Sequence, residues 1–231
     1  PYLQQGNRIL DAGAGGGEVV YVLRHRGFDA VGLEPDEQYA RHAREALGVP
    51  VSTGFVQDVS FSPDSFDVVT MYHALEHVED PLAILSRLRS WMAGKGILLI
   101  EVPNVEARCA APGHRFHFAH FYNFSRATLE GLGRRAGFEP ARTSTSPDGG
   151  NLTCVFRASP GAMPATVDPG SYARIAGVVK NHTAVKYYGS VFPYAGPFGR
   201  LRAYWTDRRA MAGCETARQV LERLIKRSGE Q

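Results

Sequence analysis

The chain has 231 residues, 44% of them apolar, enough for one well-buried domain and an appendage. No stretch approaches the roughly 18 uninterrupted apolar residues that cross a bilayer, and no signal peptide is visible. Cys109, Cys154 and Cys214 are odd in number and widely spaced, which argues against a disulfide framework or zinc site and for a reducing, cytoplasmic compartment.

Strand candidates alternate with helix candidates, the pattern of a mostly parallel sheet covered on both faces. The first strand, near 8–12, runs into Asp11-Ala12-Gly13-Ala14-Gly15-Gly16-Gly17 and then a helix over 17–26. Only seven residues precede it, so a natural start further upstream stays open. Glycines there let the backbone turn sharply and let a ligand lie against bare main chain, and the helix N-terminus offers unpaired N–H groups. A dinucleotide loop, G-x-G-x-x-G/A, needs a small residue where Glu18 stands, and an acid at that helix end repels a pyrophosphate. An NAD(P)-dependent oxidoreductase is therefore the disfavoured reading. D-x-G-x-G-x-G is satisfied completely by Asp11, Gly13, Gly15 and Gly17. Taken alone, the loop also reads as an ordinary strand-to-helix turn.

The second strand, 28–34, ends in Glu34, where a carboxylate accepts from ribose hydroxyls or else starts the helix over 36–47. Strands follow near 50–56 and 66–72. A helix over 81–93 opens on Pro81, with Leu82, Leu85, Leu88 and Trp91 on one face. A strand at 96–103, a helix at 125–136 and strands at 138–146 and 151–158 complete the set. The last two strands are separated only by Pro147-Asp148-Gly149-Gly150, a hairpin rather than a crossover.

Ser159-Pro160-Gly161-Ala162-Met163-Pro164 has the composition of a linker and divides the chain into 1–159 and 160–231. The first part carries 15 Lys/Arg against 18 Asp/Glu, the second 11 against 5, balances of −3 and +6. That asymmetry reads as a solvated helical face or as a surface for a polyanionic partner. Beyond 160, Tyr172, Ile175, Val179, His182 and Val185 keep helical spacing. A second helix is expected over about 198–228, with Leu201, Tyr204, Trp205, Met211, Cys214, Ala217, Leu221 and Leu224 on its apolar side and arginines elsewhere.

The glycine loop, Ser65-Phe66-Asp67-Val68-Val69 with Leu75-Glu76-His77-Val78-Glu79-Asp80-Pro81, Gly96-Ile97-Leu98 with Val102-Pro103-Asn104, and His120-Phe121-Tyr122-Asn123-Phe124-Ser125 with Ala136-Gly137-Phe138 stand in order. Together they resemble the class I S-adenosylmethionine (SAM) methyltransferases of the ubiquinone and menaquinone type and their relatives, over roughly residues 8–159. The resemblance implies a doubly wound seven-stranded sheet of order 3-2-1-4-5-7-6 with strand 7 antiparallel. SAM is the implied cofactor and S-adenosylhomocysteine the product. Asp11 would order the loop and face the methionine ammonium, Gly13 and Gly15 would approach methionine and ribose, and Glu34 would take the ribose hydroxyls. Adenine would lie over Gly54–Asp58. Many relatives carry an acid where this chain has Phe55, which shifts that role to Gln57 or Asp58. Met71 and Tyr72 match positions facing the methionine moiety, and Met71 reads equally as core packing.

Methyl transfer from a sulfonium needs alignment and exclusion of water, and a base only where the acceptor carries a proton. His120 first and His77 second are the candidate bases, from a set that includes His73, His114 and His117. Hydrogen bonding within loops is the plainer role for any one of them. A metal is not expected, because no Cys or acid completes a histidine set. The expected function is methylation, at oxygen first, of a small-molecule or glycan-linked acceptor. Neither nucleic acid nor a membrane span is expected, and a homodimer through the C-terminal helices is an option. A non-catalytic SAM-binding module acting through the basic tail is the rival from another class.

Overall fold

The computed structural model describes residues 2–164, 168–194, 208 and 211–229. Seven strands form one sheet: β1 (Arg8–Ala12), β2 (Asp29–Glu34), β3 (Val51–Thr53), β4 (Phe66–Tyr72), β5 (Met92–Pro103), β6 (Phe138–Thr145) and β7 (Asn151–Ala158). Their order is β3-β2-β1-β4-β5-β7-β6. The four pairings among β1 to β5 are parallel, whereas β7 runs antiparallel to β5 and, as the hairpin spacing requires, to β6.

The helices are α1 (Glu18–His25), α2 (Glu37–His42), α3 (Pro81–Trp91), α4 (Arg126–Arg135), α5 (Ser171–Asn181), α6 (Ala184–Tyr188) and α7 (Ala217–Gly229). Local chemistry starts several of them. Asp36 accepts from the Gln38 amide at 2.7 Å, Asp80 accepts from Ala83 at 3.0 Å ahead of Pro81, and Ser125 and Thr128 form a reciprocal capping box. β1 is buried on both faces. Leu10 and Ala12 join Met71, Leu98, Leu85, Leu88, Trp91 and Leu129 on the α3–α4 side. Ile9 joins Val20, Tyr21, Ala40 and Val68 on the α1–α2 side. Such two-sided burial is why the strand reads as a continuous apolar run. On α4, Gly133 lets the helix approach the sheet: a Cβ there would stand 2.2 Å from Phe156 Cε1.

Four expectations need correction. β3 ends at Thr53 rather than 56, because Gly54 takes φ +155° and the chain turns out of the sheet. The helix over 36–47 widens into a π-helical turn at Ala43–Leu47. α3 stops at Trp91 because Met92 is already extended and pairs with Phe66, so β5 begins four residues early. The helical spacing Tyr172–Val185 is not one helix, because α5 ends at Asn181. Thr183 caps a new helix, α6, and Tyr172 and Val185 are each 83% exposed.

The second C-terminal helix expected over 198–228 is broken among the described residues, where Gly213 at φ +76° turns the chain ahead of α7. Its expected apolar positions Leu201, Tyr204 and Trp205 lie outside the described residues. Leu221 does pack, with Ile225, against the α1 cluster, while Leu224 and Met211 are 47% and 48% exposed. The tail therefore takes two places. α7 lies on the α1 layer, where Tyr21 donates to Glu222 at 3.2 Å. α5 and α6 lie against the segment between β5 and α4, through Arg174–Glu106 at 3.0 Å and a contact of Arg115 with His182. Among the described residues, no helix is long and apolar enough to cross a membrane.

Candidate active site

The parallel order reverses direction between β1 and β4, and a crevice opens beyond the carboxyl ends of strands at such a point. A cleft of about 800 Å3 lies there. Its lining includes Gly13, Gly15, Glu34, Gln57, Met71 and His77, six of the residues singled out in the sequence.

One wall is the glycine loop. Gly13 has φ +82°, and a Cβ on it would meet Ala74 Cβ at 2.8 Å, so only glycine lets β1 and the β4 turn close up. The Gly15 amide donates to Glu34 Oε2 at 2.7 Å and the Asp36 amide to Oε1 at 3.0 Å. Glu34 thus ties the loop to the end of β2 while its carboxylate still faces the cleft. Asp11 lies behind the loop, 2% exposed, accepting from Thr70 Oγ1 at 2.6 Å. Burial pushes its carboxyl up to about 7, with Thr70 pulling the other way. Such a group is short of a cation. The apolar Leu33, Phe55, Val56 and Met71 also line the cleft, and suit a flat ring such as adenine. These features fit an adenosine carrying an amino-acid end.

Three other nominated residues sit elsewhere. Asp58 is exposed in the turn after β3, its amide bonded to the Phe55 carbonyl, and does not line the cleft. Tyr72 follows Met71 on the opposite face of β4, beside Asp11 and Glu101, whose charges add to burial in raising its phenol. His120 lies next to the cleft, with its ring 4.8 Å from that of His77.

The other wall is the turn after β4 together with residues 117–122. His73 adopts φ +49°, rare for a residue with a side chain. Its Nδ1 stands 3.5 Å from Glu76 Oε1 and its Nε2 3.4 Å from Glu101 Oε1, and these acids hold the imidazole above its ordinary value. His77 Nδ1 donates to the Ala119 carbonyl at 2.9 Å, which leaves Nε2 as the open nitrogen of the neutral ring, 4.0 Å from Glu76 Oε1. Glu76 is 1% exposed and neither oxygen accepts a well-aligned hydrogen bond. His120 is held below its ordinary value, by burial first. Donor atoms of Glu76, His77 and His120 all lie within 4.8 Å of one another, a spacing that could hold a metal ion. Glu76 is thus an acid that joins two histidines, contrary to the expectation that none would. Its place directly between Leu75 and His77 was the available signal, since an acid buried there needs partners. His73 and Phe121 also line the cleft and were not nominated as site residues.

Comparison with known proteins agrees with this geometry. The methyltransferase domain family matches residues 1–143. The chain is 29% identical over 119 residues to the ubiquinone biosynthesis O-methyltransferase of Actinobacillus pleuropneumoniae serotype 5b, covering 45% of this chain and 51% of that protein. It is 35% identical over 86 residues to the protein of the same description from Aliivibrio fischeri strain MJ11, covering 35% and 37%. The matches thus span about half or less of those relatives' length. Among solved structures, the S-adenosylmethionine dependent methyltransferase of Mesorhizobium loti superposes with a TM-score of 0.57 at 16% identity, over 66% of this chain and 91% of that one. The SAM dependent methyltransferase of Aquifex aeolicus gives 0.56 at 16%, over 68% and 84%. The chain belongs to the methyltransferase domain family, and its sheet has the strand order expected for the class I fold.

Proposed function

We propose that this protein methylates an oxygen of a small-molecule or glycan-linked acceptor, with His77 taking the acceptor proton. The observation that carries the reading is the pairing of the two walls: the loop and Glu34 on one side, and His77 Nε2, unbonded and beside the buried Glu76, on the other. When bound, SAM supplies an activated methyl group on a sulfonium. Gly13, Gly15 and Glu34 would orient it, Asp11 would face its ammonium, and Gln57 would reach the adenine edge. Glu76 would stabilise the imidazolium formed at His77, since an ion pair in a buried setting is screened little. His120, against the His77 ring, would hold that ring in place. Residues 1–159 would form the catalytic domain and 160–231 an extension. A cytoplasmic setting and a dimer contact at the exposed Tyr172 and Val185 belong to the same reading.

The test is methyl transfer from labelled SAM to a panel of phenols, carboxylic acids and sugars. Transfer to hydroxyl acceptors that drops in His77→Ala supports the reading, and transfer to amines alone would overturn it. A second reading rests on Glu76, His77 and His120 as a donor set for a divalent cation. In that case EDTA abolishes turnover and added metal restores it, whereas proton transfer to His77 predicts turnover indifferent to EDTA.

A further inference from the structure

A second groove, of about 530 Å3, opens between α5–α6 and the segment joining β5 to α4. His182 lines it although only 8% exposed. The Arg115 guanidinium lies against His182 Nδ1. A guanidinium only donates, so Nδ1 accepts and the proton of the neutral ring sits on Nε2. Burial first, then Arg115 and Arg108, hold this imidazole below its ordinary value, which favours that neutral form. Nε2 is buried and donates to nothing among the described residues. A buried N–H without an acceptor is costly and rare.

The surroundings say what kind of acceptor is missing. Arg108 is exposed and makes no hydrogen bond or ion pair among the described residues. Among the described residues, Lys186 Nζ reaches only the neutral Asn181 Oδ1, at 3.1 Å. The nearby acids Glu106 and Asp168 are both engaged by Arg174, at 3.0 and 3.4 Å. Among the described residues, Arg115 itself reaches a backbone carbonyl and His182 but no carboxylate. Among the described residues, positive charge is therefore left without an acidic partner around a buried donor.

We propose that this groove is an oxyanion site that takes the phosphate group of a small organic phosphate. His182 Nε2–H and the Arg108 guanidinium donate to its oxygens, Lys186 adds positive charge, and Tyr187 and Phe192 flank the organic part. Three donors suit a group with three terminal oxygens better than a carboxylate with two. A ligand or acceptor held here would be gripped away from the methyl-transfer cleft, where remote binding energy serves positioning. The proposal does not depend on which atom is methylated.

The test is titration of the full chain with phenyl phosphate, benzoate and phenol, without SAM, by calorimetry and melting temperature. Phenyl phosphate is expected to bind and to raise the melting temperature, benzoate to bind about tenfold more weakly, and phenol not at all. Arg108→Gln and Lys186→Gln, both at exposed positions, should each weaken phenyl phosphate about tenfold and leave SAM affinity unchanged. His182→Ala should weaken it at least as much, with circular dichroism checking its fold. Absence of phenyl phosphate binding at millimolar concentration, preference for benzoate, or binding indifferent to both surface substitutions would overturn the proposal. Neither turnover nor SAM enters the primary readout, so failure here and failure of the methyltransferase reading are distinguishable.

Discussion

The two walls of the cleft are built differently. On the glycine side, backbone does the positioning: the Gly15 and Asp36 amides hold Glu34, and Gly13 admits Ala74. On the histidine side, side chains from two separate segments meet over a buried acid, Glu76, with His77 anchored to the Ala119 carbonyl. Topology alone sets the first wall, because every strand of a doubly wound sheet delivers its carboxyl end to the same crevice. The second depends on loop packing, which is where acceptor chemistry varies among proteins of one fold. The cofactor wall should therefore govern affinity for SAM, and the histidine wall the rate of transfer.

The largest expected effect tests the histidine wall. His77→Ala should lower turnover by about a hundred-fold or more and leave SAM affinity within a factor of about two. Single-turnover kinetics with saturating SAM separates the two quantities. An unchanged rate would mean that positioning alone suffices, as for an acceptor already ionised.

Next comes Asp11, where function and stability pull apart. Its folded value, about 7, lies above its ordinary one. The unfolded chain therefore ionises first, and stability from this group falls as pH rises from about 4 to about 7. Asp11→Asn removes that cost. The ligand-free variant should be more stable than the parent by about 2–4 kcal/mol at pH 8 and equal to it near pH 4. SAM should bind the parent more tightly as pH rises through about 7, and the variant about tenfold more weakly with a flat pH profile. Denaturant melts at both pH values and titrations across pH 6–8 check this. Equal stability at pH 8 would contradict the burial argument.

A smaller effect sharpens the contrast from outside the cleft. Gly133→Ala places a methyl group against the Phe156 ring, so stability should fall by about 1–3 kcal/mol while SAM affinity is unchanged. The smallest effect concerns the tail. A chain ending at Ser159 loses the packing of Leu221 and Ile225 on the α1 cluster. It should melt several degrees lower and still bind SAM within about threefold. Loss of SAM binding from a folded truncated chain would show that the tail completes the cofactor wall.

How far the sequence was legible follows the same division. β1, β4 and β7 begin and end where their apolar runs do, because they are buried on both faces or pinned by a hairpin. β3 is shorter than its apolar spacing suggests because the turn at Gly54 takes the chain out of the sheet. The helical spacing through Tyr172 and Val185 carries no information about burial, since nothing among the described residues packs on either side chain closely enough to cover it. Gly13, Gly15 and Glu34 were readable because the strand ends locate them. Gln57 lines the cleft and Asp58 does not, a distinction set by the turn at Gly54 that spacing alone does not resolve. Glu76 escaped because an acid in a mixed stretch, with Glu79 and Asp80 close behind, declares its partners only when residues 117–120 fold back over it.

The most direct measurement pairs two variants. SAM dissociation constants and single-turnover rates are compared for Glu34→Ala and His77→Ala against the parent. The account predicts a crossed result. Glu34→Ala should weaken SAM by about ten- to a hundred-fold, roughly 1.5–3 kcal/mol, with near-normal transfer once saturated. His77→Ala should bind SAM normally and transfer slowly. If both substitutions move the same quantity, or if Glu34→Ala leaves SAM affinity unchanged, the division of the cleft into a cofactor wall and a proton-accepting wall is wrong.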